Sequence, residues 1–587
     1  MNKIQIGGSI AAAAILAAGL TACGSDSGDS KSGTGATSAA KADAANTAVV
    51  NPSDKTGGEL KYAMSSDWDS PDPGDTYYAY SWNFARNYAR ALVAFKDAPG
   101  KAGLELTGDL AEGLGESADD GKTWTYKIRK GVKYDDGTEI KAQDVKYAVE
   151  RSNFTSELQL GPKYFKQYLV DNPGGYKGPY KDKSTEGLKS IETPDDYTIV
   201  FHLNAPFAEF DYLATMPQTA PVPQAKDKGL NYKKSIVSSG PYKIDSYEPG
   251  KAMKLSRNTN WSADTDPLRK AYPDTISVAL NQNQDDIDQR LMSGALDVDL
   301  SGAGVSTAAQ PKVLGSAAQK KNSDVTTGGT LTYMAINPNV APLNNVACRK
   351  AVQFAIDKVS VQTGLGGPLA GGALASTILP PTVTGHQKFD LYPSAGNTGD
   401  VAKAKEQLTA CGKAGGFTTN LTARSDRPKE MAAATAVQQG LAKAGIKANI
   451  KGYPSGDYFT KYAGAPSFNK SNNIGLIMMK WGADWPSGFG FLQQILDGAS
   501  IKPAGNTNLS ETNLKSINDL FAASTKEGDV NKRNEIYAQI DKTAMEDAAV
   551  VPFTYANQLL FRPANVTNVL VTEAYSGQYS YLNLGVK

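Results

Sequence analysis

The chain has 587 residues, with 61 Lys and Arg against 60 Asp and Glu and a formal net charge of +1. It is 40% hydrophobic and 21% charged, the make-up of a soluble globular protein long enough for roughly two to four domains. A charge balance this even leaves no electrostatic footprint for nucleic acid, so no such partner is expected.

At the N-terminus Lys3 precedes a run of small and apolar residues from Ile10 to Leu20, and Leu20-Thr21-Ala22-Cys23 follows. The run is too short to cross a bilayer. Its order of charge, apolar stretch and small residues predicts a secretory signal over 1–22. The Leu-x-Ala-Cys ending resembles the bacterial lipobox, in which Cys23 is acylated and becomes the first residue. Residues 23–57 are rich in Ser, Gly, Asp, Ala, Thr and Lys, too polar to bury a core, and are expected to form a lipidated flexible tether. These features imply a protein on the extracellular face of the cell membrane, held there by its lipid anchor. Cys348 and Cys411 are then the only cysteines left, an even pair in an oxidising compartment, and are expected to form a disulfide.

Beyond the tether, 58–63 reads as a strand. The turn-rich Asp69-Ser70-Pro71-Asp72-Pro73-Gly74-Asp75 leads through Tyr77, Tyr78, Ala79 and Tyr80 into a helix predicted over 81–92, with Trp82, Ala85, Tyr88, Ala89 and Leu92 on one face. Trp124, Tyr126 and Ile128 alternate with polar residues, a half-buried strand, and Asp136-Gly137 is a turn. Residues 197–203 form another strand, containing His202, and 285–296 a helix. A strand over 331–337 precedes an amphipathic helix over 346–358. Helices follow over 401–410 and 428–444, the latter with Pro428 at its start and Gly445 past its end. Asp529 is placed to cap a helix to about 547, and 550–561 returns as an extended segment. Alternating strands and helices predict an α/β fold with parallel strands. With two histidines and no spare cysteine, a His/Cys zinc site or a Cys–His nucleophile is hard to build. No Walker-A loop or Gly-x-Ser-x-Gly elbow occurs. No cofactor, no metal and no catalytic residue is expected.

The stretch that organises the chain is Lys480-Trp481-Gly482-Ala483-Asp484-Trp485-Pro486-Ser487-Gly488, directly after the apolar 474–479. It puts two tryptophans and a carboxylate at the C-terminal end of a buried strand, the edge at which open α/β sheets bind ligands. Trp-Gly-Ala-Asp with a following aromatic resembles the cleft motif of the family 5 extracellular solute-binding proteins, the dipeptide, oligopeptide and nickel receptors of ABC importers. The segment from Asp120 to Arg151 resembles the family signature. So do Ser239-Gly240-Pro241-Tyr242, Arg257-Asn258-Thr259-Asn260-Trp261, the helix ending Gly294-Ala295-Leu296-Asp297, and Val346 to Lys358.

The resemblance covers nearly all of 58–587 and implies a two-lobed, type II periplasmic-binding-protein-like fold. Residues 58–328 would form the first lobe, with an extra subdomain over about 77–220. Residues 329–552 would form the second lobe, and 553–587 would return to the first. It implies a receptor that is not an enzyme, a short peptide as ligand, an ABC permease as partner, and a monomer. By resemblance, Asp484 pairs with the ligand's α-ammonium and the main chain of Lys480 and Gly482 pairs with its backbone. Trp481, Trp485, Tyr78, Ala79 and Tyr80 line the cleft. Where some members carry a side chain, Gly482 is expected to leave more room. The same fold also serves oligosaccharides and metal complexes, and a secreted hydrolase is the remaining alternative.

Overall fold

A computed structural model describes residues 41–182, 184 and 186–587. The expected signal segment and Cys23 lie outside the described residues. Three sheets carry the architecture. In a five-stranded sheet, Glu59–Ala63 lies between Val298–Asp299 and Thr275–Ala279 and is parallel to both. Ala252–Arg257 and Tyr242–Glu248 extend it antiparallel. Leu60, Tyr62, Met253, Leu255, Ile276 and Val278 fill the core on this sheet. A four-stranded antiparallel sheet holds Thr123–Lys127 and Thr198–His202 at its centre.

The third sheet has six strands, ordered Ala373–Leu374, Val550–Phe561, Ser323–Ile336, Ile474–Gly482, Phe417–Arg424, Ile446–Tyr453. The expectation of parallel strands is met only in part. Phe417–Arg424 runs parallel to Ile446–Tyr453 because the helix Pro428–Ala444 supplies the crossover that parallel pairing needs. Ser323–Ile336 is antiparallel to both Ile474–Gly482 and Val550–Phe561. The 14-residue Ser323–Ile336 is far longer than the strand read over 331–337. Together with Val550–Phe561 it leaves the six-stranded sheet as a ribbon, and at the far end Leu559 and Phe561 pack with Ala63, Ile287 and Leu291 beside the five-stranded sheet. The two strands that join the sheets therefore run in opposite directions.

Several elements fall where periodicity and caps put them. Val401–Ala410 starts at Asp400, whose carboxylate accepts from Lys403 N, and Pro428–Ala444 closes at Gly445 with φ 94°. Asp529 caps Val530–Glu546 by accepting from Asn531 N and Lys532 N. Cys348 and Cys411 are joined, with Cα atoms 5.5 Å apart, linking the helix Val346–Ala355 to the end of Val401–Ala410.

Two expectations are corrected. The helix after the Asp-Pro loop spans only Ala79–Ala85. Past it, the Tyr88 carbonyl accepts from Ser239 N and Gly240 N, so the backbone is taken up by a neighbouring loop instead of a further helical turn. Residues 41–57 are also not all tether. Ala44–Asn46 forms a helical turn, Ala45 is buried, its N–H donates to Asp324 Oδ1 at 3.0 Å, and Val50 bridges to Val569. This segment docks through backbone hydrogen bonds, which composition does not register.

Candidate functional site

Every residue of Ile474–Met479 is buried, as a central strand flanked on both faces must be. Its pairing with Ser323–Ile336 continues to the end, with Lys480 opposite Thr332 and Gly482 opposite Thr330. On the other side, pairing with Phe417–Arg424 stops at Ile477. The last residues of the strand thus keep one edge without a strand partner, and that edge opens on a cavity of about 220 Å³. Beyond Gly482 the chain turns sharply. Asp484 N donates to the Gly490 carbonyl at 2.9 Å, and Ser487 caps the helix Gly488–Leu496. A Cβ at Gly490 would stand 2.5 Å from the Trp485 carbonyl, so glycine is needed for the turn to fold back on its own helix.

This turn holds Asp484 at the cavity, only 8% exposed. Its Oδ2 accepts from Tyr77 Oη and from Tyr164 Oη, each at 2.7 Å. Among the described residues no donor reaches Oδ1. Burial pushes the Asp484 carboxyl up to about 7, and the two tyrosine hydroxyls bring it only part of the way back. Tyr77 itself is positioned by Asp69, whose carboxylate accepts from Tyr77 N and Thr76 Oγ1; the Asp-Pro loop is thus a scaffold for the tyrosines. Tyr78 stacks on Tyr80 with ring centres 5.0 Å apart, and its hydroxyl donates to the Ser455 carbonyl. Trp481 donates from Nε1 to the Phe491 carbonyl and meets Tyr77 edge-on.

Part of the cavity lining is basic. Arg424, the last residue of its strand, is bound by Glu430, which accepts from both its backbone N–H and its guanidinium. That clamp folds the connection into Pro428–Ala444 and leaves Arg427 and Lys429 lining the cavity beside Lys480. Burial, together with the charges of Lys429, Arg427 and Arg424, pushes the Lys480 ammonium down to about 7.

The structure gathers Tyr78, Ala79, Tyr80, Lys480, Trp481, Gly482 and Asp484 around this one cavity. Trp485 is not among them. It is 1% exposed, stacks between Tyr212 and Phe489, and donates from Nε1 to Glu209. Its ring sits in the core behind the turn because the tight bend at Ala483 and Asp484 turns it away from the cleft. Gly482 also differs from expectation. A Cβ there would lie 2.6 Å from Ser576 Oγ, so the room left by the missing side chain is filled by the 574–578 segment. The residues missed in the sequence are Tyr77, Tyr164, Arg427, Lys429 and Ser576. The charged run Arg424-Ser425-Asp426-Arg427-Pro428-Lys429-Glu430, after a strand and before a helix, is a signal for three of the basic residues. Nothing local marks Tyr164 or Ser576. Among the described residues no group of three or more His, Cys, Asp or Glu side chains could hold a metal ion.

Comparison with known proteins finds a match over residues 105–503 to the family described as bacterial extracellular solute-binding proteins, family 5. The chain is 39% identical to the solved clavulanic acid biosynthesis oligopeptide binding protein 2, with a TM-score of 0.84, covering 93% of this chain and 98% of that one. A Helicobacter pylori DppA structure in complex with the peptide STSA superposes with a TM-score of 0.70 at 23% identity, over 90% of this chain and 99% of that one. The glutathione-binding protein GsiB of Salmonella choleraesuis is 24% identical over 523 residues, 87% of this chain and 91% of that protein.

Proposed function

The chain belongs to the family 5 extracellular solute-binding proteins of ABC importers, with their two-lobed type II fold, and from that premise we propose that it captures a short peptide in the described cavity and hands it to a membrane permease. Proteins of this family bind cargo for transport and are not enzymes. The observation that carries the peptide reading is the pairing of two features in one cavity: a buried carboxylate with a free oxygen, and a strand end with an unpaired edge. A peptide offers an α-ammonium and, beyond it, backbone amides. The first suits Asp484 Oδ1 and the second suits strand addition along 480–482. Such a ligand is read by features common to all peptides. The solved oligopeptide binding protein at 39% identity and the peptide-bound DppA support the same reading. A charged hydrogen bond of this kind contributes about 1.5–3 kcal/mol.

The ligand enters between the sheets and is enclosed when the lobes close about the connecting strands. Cys23 carries the lipid anchor, and the receptor works as a monomer on the extracellular face of the cell membrane. The test of ligand class is mass spectrometry of what co-purifies, followed by calorimetry with free and N-acetylated peptides. A loss of at least about tenfold on acetylation is expected. Equal affinity for both forms would refute the amine anchor, and tight binding of a ligand without an amine would favour the oligosaccharide or metal-complex alternative. For the anchor, Cys23→Ser is expected to move the protein from the membrane fraction to the soluble one; retention in salt-washed membranes would overturn it.

A further inference from the structure

Trp485, expected in the cleft, sits instead in a seam between two bodies of the molecule. One body carries the four-stranded sheet and the helices Tyr164–Tyr168 and Phe210–Ala214. The other carries the six-stranded sheet and, after its strand Ile474–Gly482, the helix Gly488–Leu496. Across the seam the Trp485 ring meets Tyr164 with centres 5.0 Å apart and stacks on Tyr212 at 6.1 Å. Phe489 meets Phe207 at 5.4 Å and Tyr168 at 6.2 Å. Trp485 and Phe489 are each 1% exposed and Phe207 is 2% exposed. All of these rings belong to, or pack on, one continuous core that runs through both bodies.

One charge stands in this seam. Glu209 Oε2 accepts from Trp485 Nε1 and from Ser487 Oγ, the latter at 2.8 Å, and among the described residues no hydrogen bond reaches this carboxylate from its own body. Ser487 also caps Gly488–Leu496 by accepting from Gly490 N. The Glu209 carboxylate therefore lies at the N-terminal end of that helix, where the macrodipole favours an anion. Burial pushes the Glu209 carboxyl up, and Trp485, Ser487 and, at longer range, Arg533 oppose it. All three stand on the opposite body. A carboxylate drawn out of water needs such partners, and parting the bodies takes them all away together. Two further bonds cross the seam, from Gln493 Nε2 to Gln167 Oε1 at 3.0 Å and from Lys502 Nζ to the Gly161 carbonyl at 2.8 Å.

We propose that Glu209 is the catch of an interlobe latch: received by Trp485 and Ser487, it holds the two bodies together through contacts that lie outside the ligand cavity. Glu209, Ser487, Phe489, Phe207 and Tyr168 are all absent from the cavity lining, so the latch acts whatever the cavity holds. Aromatic faces supply most of the energy of such a contact, and edge-on and offset pairs add to their buried area. The carboxylate, fixed by two donors, supplies direction. Closure then has a part that no ligand provides. A share of the closed population exists before the ligand arrives, and the ligand adds its own contacts to it. The seam also steadies the site, because Tyr164 meets the Trp485 ring and donates to Asp484 Oδ2 at 2.7 Å. The latch is independent of the ligand being a peptide.

The test uses the full mature chain in its soluble Cys23→Ser form, stripped of co-purifying ligand and spin-labelled at one exposed position on each body, Lys189→Cys and Lys515→Cys. Double electron–electron resonance gives the distance distribution between the labels for this parent, for Glu209→Ala, and for Trp485→Phe, which keeps an aromatic ring and removes the N–H. Circular dichroism and the thermal midpoint report whether each variant is folded. The ratio of the longer-distance, open population to the shorter-distance one is expected to rise at least about tenfold in Glu209→Ala, which loses its hydrogen bonds to a charged group. A smaller rise is expected in Trp485→Phe, which leaves the Ser487 bond in place. A shift in Glu209→Ala with none in Trp485→Phe supports the latch and assigns its hold to Ser487. A folded Glu209→Ala with the parent's distribution overturns the latch, and a lowered midpoint beside that unchanged distribution would mark Glu209 as a packing residue. If Glu209→Ala does not fold, Trp485→Phe decides alone: a shifted distribution supports the latch and an unshifted one overturns it.

Discussion

Two groups of buried charge in this molecule are built on opposite plans. Near the five-stranded sheet, Arg90 and Arg269 are locked to Asp109 and Asp266: Arg90 Nε lies 2.9 Å from Asp109 Oδ1, Arg269 Nη2 lies 2.7 Å from Asp109 Oδ2, and Arg269 Nη1 lies 3.2 Å from Asp266 Oδ1. Burial would push the Asp266 carboxyl up, but Arg269 and Arg90 outweigh it and hold the group down at about 2. In the cleft the partners are missing. Among the described residues Asp484 has two hydroxyls and no cation in contact and the Lys480 ammonium has no carboxylate in contact, and each is pushed to about 7, from opposite sides. Paired charge holds the fold together. Unpaired charge, lining one cavity, is the part left open to a ligand.

The largest expected effect breaks the paired group. Asp109→Ala leaves two buried guanidiniums facing only Asp266, and removing one partner of a buried pair costs about 3–5 kcal/mol. Scanning calorimetry should show a markedly lower midpoint; a loss under about 1 kcal/mol, the scale of an exposed pair, would mean the network is not structural. Next comes the covalent tie remote from both groups. Cys348 and Cys411 are 63 residues apart, for which chain entropy gives about 4 kcal/mol. The Cys348→Ala, Cys411→Ala double variant should unfold at lower denaturant yet bind ligand as wild type does. Peptide mapping without reductant that recovers both thiols free would remove the basis of this expectation.

Asp484→Ala should do the reverse of Asp109→Ala. It removes a desolvated carboxylate, so the thermal midpoint holds, while affinity for an amine-bearing peptide falls by at least about tenfold. A variant that loses stability instead would place Asp484 with the structural charges. The smallest effect is on pH. Burial holds the Asp484 carboxyl up at about 7 in the folded protein, against an ordinary value of 3.8. The folded state therefore holds a proton that the unfolded state releases, and stability from this group falls as pH rises between those values. An ammonium needs the charged form, so affinity for a peptide amine should weaken several-fold as pH drops from 8 to 6. Asp484→Asn should flatten that dependence. A wild-type profile equally flat over this interval would show that the carboxyl is already ionised there.

Much of this protein is determined locally. Asp400, Asp529, Pro428 and Gly445 mark helix ends because a cap needs only a side chain or a φ within a few residues of it. The apolar 474–479 run marks a central strand because both of its faces are covered. Asp484, Trp481 and Lys480 are legible as a site because a strand end followed by Pro486 and Gly488 has nowhere else to put them. The tertiary structure decided what local pattern cannot carry. Whether Trp485 faces ligand or core depends on a turn set by Gly490. Whether Gly482 leaves room depends on Ser576, 94 residues on in the sequence. Tyr164 reaches Asp484 across 320 positions, and the antiparallel ribbon of Ser323–Ile336 and Val550–Phe561 pairs strands whose own residues are silent about direction. Burial and partner are properties of a neighbourhood, so the charge state of Asp484 and Lys480, and with it the site, exists only once distant segments are packed around them.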